Sequence, residues 1–343
     1  MLFLAVAAFG LSSIWAGGDD WSPERAARYL DGRLQQWFAW KPAASPDGPC
    51  VSCHTGMTYL MARPALRRRL GEPQPTPFET GLLDRLRADV GEKPESYLQG
   101  VEVIFAALFL SERDAGKPMT PETHKAFRQL WSLQRSEGSS RGSWEWLIVD
   151  LDPWEQTEST YFGAALAALA AGNAGVASAA DTSVASHLAA LTTYLRTPSS
   201  VGSRPLHDRL ALLWASSTQR GLLSDAERAS LAAEVLDKQQ PDGGWTNESL
   251  GPWMPHPEAP RVVGSSSYPT AFVTFVLQRA GVKPTDPRLA RALAWLSSHQ
   301  NRETGAWPAL SMNKQYPPGS MQSFFMQDAA TAFASLALVE AGR

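Results

Sequence analysis

Both cysteines of the 343-residue chain lie in a single pentapeptide, which reads Cys50, Val51, Ser52, Cys53 and His54. This C-x-x-C-H spacing is typical of proteins in which two thiols bond covalently to haem and the adjacent imidazole ligates its iron. We therefore predict a covalently bound haem c, with Cys50 and Cys53 as attachment residues and His54 as an iron ligand. A disulfide is the alternative in an exported protein, whereas a zinc site would need two further ligands that no nearby cysteine supplies.

The sequence leaves the second axial ligand of the iron open. Met57 and Met61 follow His54 on the same predicted helix, so they cannot reach the opposite face of the iron. The loop sequence W-M-P-H-P contains Met254 and His256, which are the better-placed candidates. A methionine ligand favours electron transfer, whereas an open position favours chemistry on a small molecule. Further candidates are Met312, Met321, Met326 and His207. The alternative role of these methionines is packing in the core.

The composition is that of a globular protein, with 44% hydrophobic and 19% charged residues and a net charge of −3. The chain lacks the basic patch that nucleic-acid binding requires, and we expect the triplet Arg67, Arg68 and Arg69 to be a solvated helix end. Residues 1–16 form an apolar run that resembles a signal peptide, with an uncleaved membrane anchor as the alternative. We predict export to the periplasm or its equivalent, with residues 17–343 as one domain and the membrane surface as a further candidate partner.

The rest of the chain is patterned as helices of two alternating kinds. Amphipathic helices with charged faces are predicted near residues 22–38, 76–91, 120–136, 182–197, 224–240 and 286–300. Helices that are apolar nearly all round, and must therefore be covered on every side, are predicted near 54–70, 97–112, 157–171, 205–219, 268–280 and 324–341. Six inner helices alternating with six outer helices close a ring. The predicted fold is all-α, an (α/α)6 toroid.

Three predicted outer helices end in the same Q…G-x-W phrase, and such repetition indicates an array of similar units. The phrases run from Gln134 to Trp144, from Gln239 to Trp245 and from Gln300 to Trp307. In these repeats the sequence resembles the squalene-hopene cyclase and protein prenyltransferase superfamily, whose domains are α/α toroids. We expect the three tryptophans to be structural, wedging outer helices together.

Loop lengths make the predicted ring asymmetric. Long connections run from outer to inner helices, at 39–53, 137–156, 241–267 and 301–323, and therefore lie at the end of the ring where inner helices begin. Long loops in a compact domain are usually functional. Since the C-x-x-C-H sequence lies in the first of them, we expect the haem at this end.

The resemblance also supplies a test for cyclase chemistry. Class II terpene cyclases carry D-x-D-D-T-A at the start of an inner helix, where the middle aspartate protonates an alkene. Aligning that motif on Thr160 puts Glu158 at the acid position without the flanking aspartates, and Asp328 precedes Thr331 by three residues in a similar setting. Glu158 and Asp328 are therefore the candidate catalytic acids. Alternatively, they are negative charges at helix starts, where the helix dipole stabilises them.

These observations leave three functions open. The favoured one is an exported c-type haem protein with a redox role. It would either transfer electrons to a redox partner protein or oxidise an apolar substrate, for which an isoprenoid is one candidate from the resemblance. The alternatives are a haem-independent terpene cyclase or isomerase that uses an acidic residue, and a non-catalytic binding toroid.

Overall fold

A computed structural model describes residues 21–45, 48–90, 98–175, 182–197, 204–253, 259 and 261–343. Twelve α-helices lie in these ranges, together with short 3₁₀ turns. The outer helices are α1 (Pro23–Ala39), α3 (Pro77–Asp89), α5 (Pro121–Ser132), α7 (Thr182–Arg196), α9 (Asp225–Asp237) and α11 (Pro287–Ser298). The inner helices are α2 (Gly56–Leu70), α4 (Gln99–Arg113), α6 (Thr160–Asn173), α8 (Leu206–Ala215), α10 (Ser267–Arg279) and α12 (Phe325–Glu340).

The inner helices form the core because their residues are apolar nearly all round and need burial on every side. Every residue from Tyr161 to Ala171 in α6 is buried, as is every residue from Ser267 to Gln278 in α10. The chain alternates between the layers, and α12 packs against both α10 and α2, so the last inner helix meets the first. The predicted all-α (α/α)6 toroid is confirmed. None of the helices in the described ranges has the length and apolar character needed to cross a bilayer. The signal or anchor predicted for residues 1–16 lies outside the described residues.

The outer helices begin where local side chains satisfy their free backbone N–H groups. Thr76 and Glu79 form a reciprocal capping box at α3, and Ser224 and Glu227 form another at α9. Asp286 caps α11 by accepting from two backbone N–H groups. Such caps need only residues within one helical turn, which is why the sequence predicts these helix starts to within a few residues.

The Q…G-x-W phrases join neighbouring outer helices. The Gln239 amide donates to the carbonyl of Gly243 in its own loop at 2.8 Å and to that of Arg288 in the next outer helix at 2.8 Å. The buried indole of Trp245 donates back to the carbonyl of Val235 at 2.9 Å. Gln134 and Gln300 make the equivalent pairs of bonds, and the indoles of Trp144 and Trp307 likewise donate to carbonyls of the preceding helix. The three tryptophans are structural, as expected.

The last phrase closes the outer ring. Gln300 donates to the carbonyl of Ser22 at 3.0 Å and accepts from the Ser22 backbone N–H at 2.6 Å, and Ser22 is the N-cap of α1. Gly305 has a φ of +79°, and a Cβ there would lie 2.4 Å from the backbone of Arg25. Glycine is therefore required both by the left-handed conformation and by the close approach of α1.

Candidate functional site

The two cysteines lie in the loop that leads into α2. Cys50 is partly buried, Cys53 is buried, and the two thiols are free, so the alternative disulfide is not formed in this structure. The loop is held from both sides: the Cys50 N–H donates to the Ala43 carbonyl at 2.9 Å, and the Trp37 indole donates to the Cys50 carbonyl at 2.8 Å. The Ser52 hydroxyl accepts from two backbone N–H groups at the start of α2. Burial raises the pKa of both thiols.

Hydrogen bonds fix the protonation of the His54 ring. Nδ1 lies 2.8 Å from the hydroxyl of Thr55, and this hydroxyl donates its only proton to Oδ2 of Asp328 at 2.8 Å. The hydroxyl must therefore accept from Nδ1–H, which leaves the lone pair of the neutral imidazole on Nε2. Within the described residues, Nε2 makes no hydrogen bond. Burial, with a smaller contribution from the charge of Arg33, lowers the pKa of His54 to about 3, so the ring is neutral at physiological pH.

Asp328 is the centre of this network. Arg33 donates to it through Nε at 2.8 Å and Nη2 at 3.1 Å, and the Tyr29 hydroxyl donates at 2.7 Å. With Thr55, these partners direct four hydrogen bonds at the carboxylate and none of them accepts from it, an arrangement that suits the ionised form. Burial raises the pKa of Asp328, and the Arg33 charge opposes that shift. The buried pair of Asp328 and Arg33 thus connects the last inner helix to the first outer helix.

Aromatic rings enclose the imidazole of His54. The Phe325 ring stacks on it with centroids 3.5 Å apart and planes 16° apart, so Phe325 covers a face of the imidazole and not its edge. Trp37 meets His54 edge-on at 5.5 Å, and Phe324 lies beneath the Arg33 guanidinium at 4.7 Å. The ring is therefore largely buried, and among the described residues only its Nδ1 has a hydrogen-bond partner.

The two predicted acids lie in different settings. Asp328 is 1% exposed and bound into the network just described. Glu158 is exposed in the short 3₁₀ turn Thr157–Ser159 before α6, where its backbone carbonyl accepts from Arg204 at 3.1 Å. The structure therefore brings Asp328, but not Glu158, into hydrogen-bonded connection with His54. Their proposed acid role stays a prediction.

The candidate second ligands are distributed over several parts of the fold. Met254 and His256 lie outside the described residues. Met312 and Met326 are buried, while Met321 lies beside the network, its Sδ 3.0 Å from Nη2 of Arg33. His207 is 1% exposed, and both its ring nitrogens face polar groups.

The donor set fits a haem c. Two free thiols at the required sequence spacing adjoin the neutral imidazole of His54, whose Nε2 is available. Its Nδ1–H is held by the Thr55 hydroxyl, which the Asp328 carboxylate holds in turn. Iron-ligating histidines commonly carry such a second shell, which orients the ring and raises its basicity. The fit rests on this donor chemistry.

Sequence reasoning missed Tyr29, Arg33 and Thr55. The available signal was on α1, where Arg33 falls within the apolar stripe that contains Leu30, Leu34 and Trp37. An arginine at such a position indicates a buried charge that needs a carboxylate partner. Nothing local to Arg33 identifies that partner, because Asp328 lies 295 residues further along the chain.

Comparisons with known proteins bear on the fold alone. No family model matches the sequence, and no curated protein matches it either. One similar solved structure is that of Polysaccharide Lyase BACCELL_00875, with a TM-score of 0.58 at 13% sequence identity, covering 93% of this chain and 96% of that chain. At this identity the likeness supports the helical toroid and carries no activity across.

Proposed function

We propose that the protein is an exported c-type haem protein with a redox role. In this proposal Cys50 and Cys53 would hold the haem by thioether bonds, and Nε2 of His54 would ligate its iron. The bound haem would supply a one-electron redox centre. The observation that carries the proposal is the chain from Nδ1 of His54 through Thr55 to Asp328, which leaves Nε2 free beside two unpaired thiols.

The surrounding residues have separate tasks in this proposal. Thr55 fixes the tautomer and the orientation of the His54 ring. Burial as a whole lowers the pKa of His54, but the hydrogen bond from Nδ1–H to the hydroxyl held by Asp328 makes Nε2 more basic than it would be in the same buried place without that bond. Arg33 and Tyr29 hold Asp328 in place by hydrogen bonds, and the Arg33 guanidinium balances its charge. If His54 ligates a haem iron, a more basic imidazole would favour the oxidised state, and this network would lower the reduction potential.

Two redox roles follow, according to the second axial position. If a side chain such as Met254, His256 or Met321 fills it, we propose electron transfer to a redox partner protein. If it is open, we propose oxidation of an apolar small molecule at the haem. The apolar run of residues 1–16 supports export, since covalent haem attachment of this type takes place outside the cytoplasm.

The first experiment tests haem attachment. The full chain is produced in a bacterium with the haem c maturation machinery, and haem that survives denaturation is measured by its reduced spectrum in pyridine. We expect one haem per chain, and none in a variant carrying Cys50→Ala and Cys53→Ala. A denatured wild-type chain without haem would overturn the proposal. The matched control is Ser52→Ala, which lies between the two thiols and keeps both of them.

A second experiment separates the two redox roles. Carbon monoxide is added to the reduced protein, and the Soret band is followed. An immediate shift indicates an open sixth position and favours oxidation of a small molecule. No shift in the wild type, with a shift gained in Met254→Ala, His256→Ala or Met321→Ala, favours electron transfer and identifies the ligand.

A further inference from the structure

A large cavity opens at the end of the toroid opposite to His54. It has a volume of about 800 Å³, within the range of roughly 300–1,000 Å³ typical of small-molecule sites. All six inner helices and α3 contribute to its wall. It therefore lies along the axis of the ring, at the end where the inner helices finish and where the connecting loops are short.

The cavity wall changes from apolar to polar along the axis. On four inner helices an apolar lining residue is followed one turn later by a polar lining residue at the helix end. These pairs are Phe109 and Arg113, Leu169 and Asn173, Phe275 and Arg279, and Leu336 and Glu340. One turn is about 5.4 Å of axial rise, so the interior is apolar and the rim is polar and charged. This gradient matches an amphiphile that enters tail first.

The charge at the rim is not fully neutralised by internal pairs. Arg67 pairs with Glu79 at 3.4 Å, and Arg279 pairs with Glu340 at 3.3 Å. Arg68 and Arg113 are exposed at the rim and form no ion pair with any residue of the described ranges. Both arginines lie in the last turn of their helices, where the helix end carries about half a negative charge. That partial charge offsets about half of each guanidinium charge, so part of the positive charge of each arginine remains.

We propose that this axial cavity binds a single-chain amphiphile with an anionic head group, with its tail between the inner helices and its head group at Arg68 and Arg113. A fatty acid and an alkyl phosphate share this chemistry. The inference does not rest on the haem proposal, because it uses residues at the other end of the inner helices from His54. Failure of either proposal leaves the other standing.

The binding test uses the full chain and calorimetric titration with 12-carbon probes below their critical micelle concentrations. The probes are dodecanoate, dodecyl phosphate and dodecyltrimethylammonium. We expect one site for an anion and at least tenfold weaker binding of the cation, and the stronger of the two anions identifies the head-group class. Each methylene removed from the stronger anion should weaken binding about fourfold, from the transfer energy of a buried methylene. No binding of either anion, or equal binding of the cation, overturns the proposal.

Two variants locate the site. Replacing both rim arginines, Arg68→Gln with Arg113→Gln, should weaken anion binding at least tenfold, while Arg220→Gln, an exposed arginine that does not line the cavity, should not change it. Leu336→Trp fills the partly buried wall and should abolish binding. If Leu336→Trp unfolds the protein, the arginine pair still decides. Unchanged affinity in the arginine pair, or an equal loss in Arg220→Gln, contradicts the assignment.

Glu112 adds a dependence on pH. Glu112 lines the cavity together with Arg68 and Arg279. Burial raises the pKa of Glu112 to about 7, and the charges of the two arginines oppose this shift in part. The other charged groups facing the cavity are Arg67, Glu79, Arg113 and Glu340. Below pH 7 the protonated Glu112 no longer repels an anion. Binding of dodecyl sulfonate, which stays charged, should therefore strengthen from pH 8 to pH 6, and Glu112→Gln should remove that dependence. A flat wild-type profile would contradict this part of the proposal.

Discussion

Two buried histidines stand at the same end of the inner ring, and their hydrogen bonds differ. His54 precedes α2, and His207 is in the first turn of α8. His207 is bound on both sides, with Nε2 2.8 Å from the Tyr268 hydroxyl and Nδ1 3.4 Å from Asp208. His54 is bound on one side only, through Nδ1 to Thr55. Only the second arrangement leaves a nitrogen lone pair for a metal.

The surroundings reinforce the contrast. The His207 ring lies among Phe162, Trp253, Tyr268 and Phe272, with centroids 5.1 to 6.1 Å away. It therefore serves as a satisfied core residue, and burial raises the pKa of its neighbour Asp208. His54 instead ends a chain of hydrogen bonds that leads to an ion pair. The two histidines share burial and position on the ring, and they differ in how many of their ring nitrogens have a polar partner among the described residues.

If the protein carries haem as proposed, the largest expected contrast is between His54→Gln and His207→Gln. His54→Gln should remove the axial ligand, so that added imidazole binds the iron and restores the wild-type spectrum. His207→Gln should leave the spectrum as it is, and added imidazole should change it no more than it changes the wild type. The measurement is an imidazole titration followed at the Soret band. Equal responses of the two variants would contradict the assignment of His54.

The next contrast concerns the two aspartates. Asp328→Ala leaves the buried Arg33 without its partner, and breaking such a pair costs about 3–5 kcal/mol of unfolding free energy. Among the described residues, the Asp208 carboxylate has a long contact to His207 and a weaker attraction to Arg204, so Asp208→Ala should cost less, about 1–3 kcal/mol.

Urea denaturation of the full chain measures both aspartate variants. The double variant Arg33→Met with Asp328→Ala should recover part of the loss, because no unpaired charge remains. If Asp208→Ala proves the more destabilising variant, the ion pair is not the stabilising feature of this end of the ring.

A smaller effect is expected from the hydroxyl that links His54 to Asp328. Thr55→Val breaks the chain of hydrogen bonds, so the imidazole becomes less basic. If His54 ligates a haem iron as proposed, the reduction potential should rise by up to about 60 mV, which corresponds to a tenfold change in equilibrium for a one-electron couple. Thr58→Val is the matched control, since the Thr58 hydroxyl is buried nearby but donates to the His54 carbonyl at 2.6 Å. Redox titration of both variants measures the difference. Equal shifts would indicate a general packing effect and not the action of Thr55 on the ring.

The smallest effect is expected at the other histidine. Tyr268→Phe removes one buried hydrogen bond to His207 and should cost about 1 kcal/mol of unfolding free energy. The reduction potential should stay within error of the wild type. A clear shift in potential would show that the His207 cluster is coupled to the haem site and would weaken the contrast between the two histidines.

The sequence predicted much of the fold because its signals are local. A cap such as Thr76 with Glu79 acts within one turn, and the apolar sequence of α6 requires burial whatever covers it. The repeat phrase ending at Trp245 contains both partners of a local hydrogen bond, from the Gln239 amide to the Gly243 carbonyl. The site was predicted less completely. The cysteines and His54 adjoin one another in the chain, but Thr55, Arg33 and Asp328 acquire their roles only when the ring closes.

The sequence alone thus determined the helices, their alternation between two layers, and a thiol and imidazole set suited to haem. The tertiary structure decided which nitrogen of His54 is free, because Arg33 and Asp328 come from elements 295 residues apart. It also decided that the axial cavity opens at the short-loop end, since six helix ends from the whole chain form its rim. Caps and periodicity act over a few residues, whereas hydrogen-bond partners and cavities depend on contacts between distant segments.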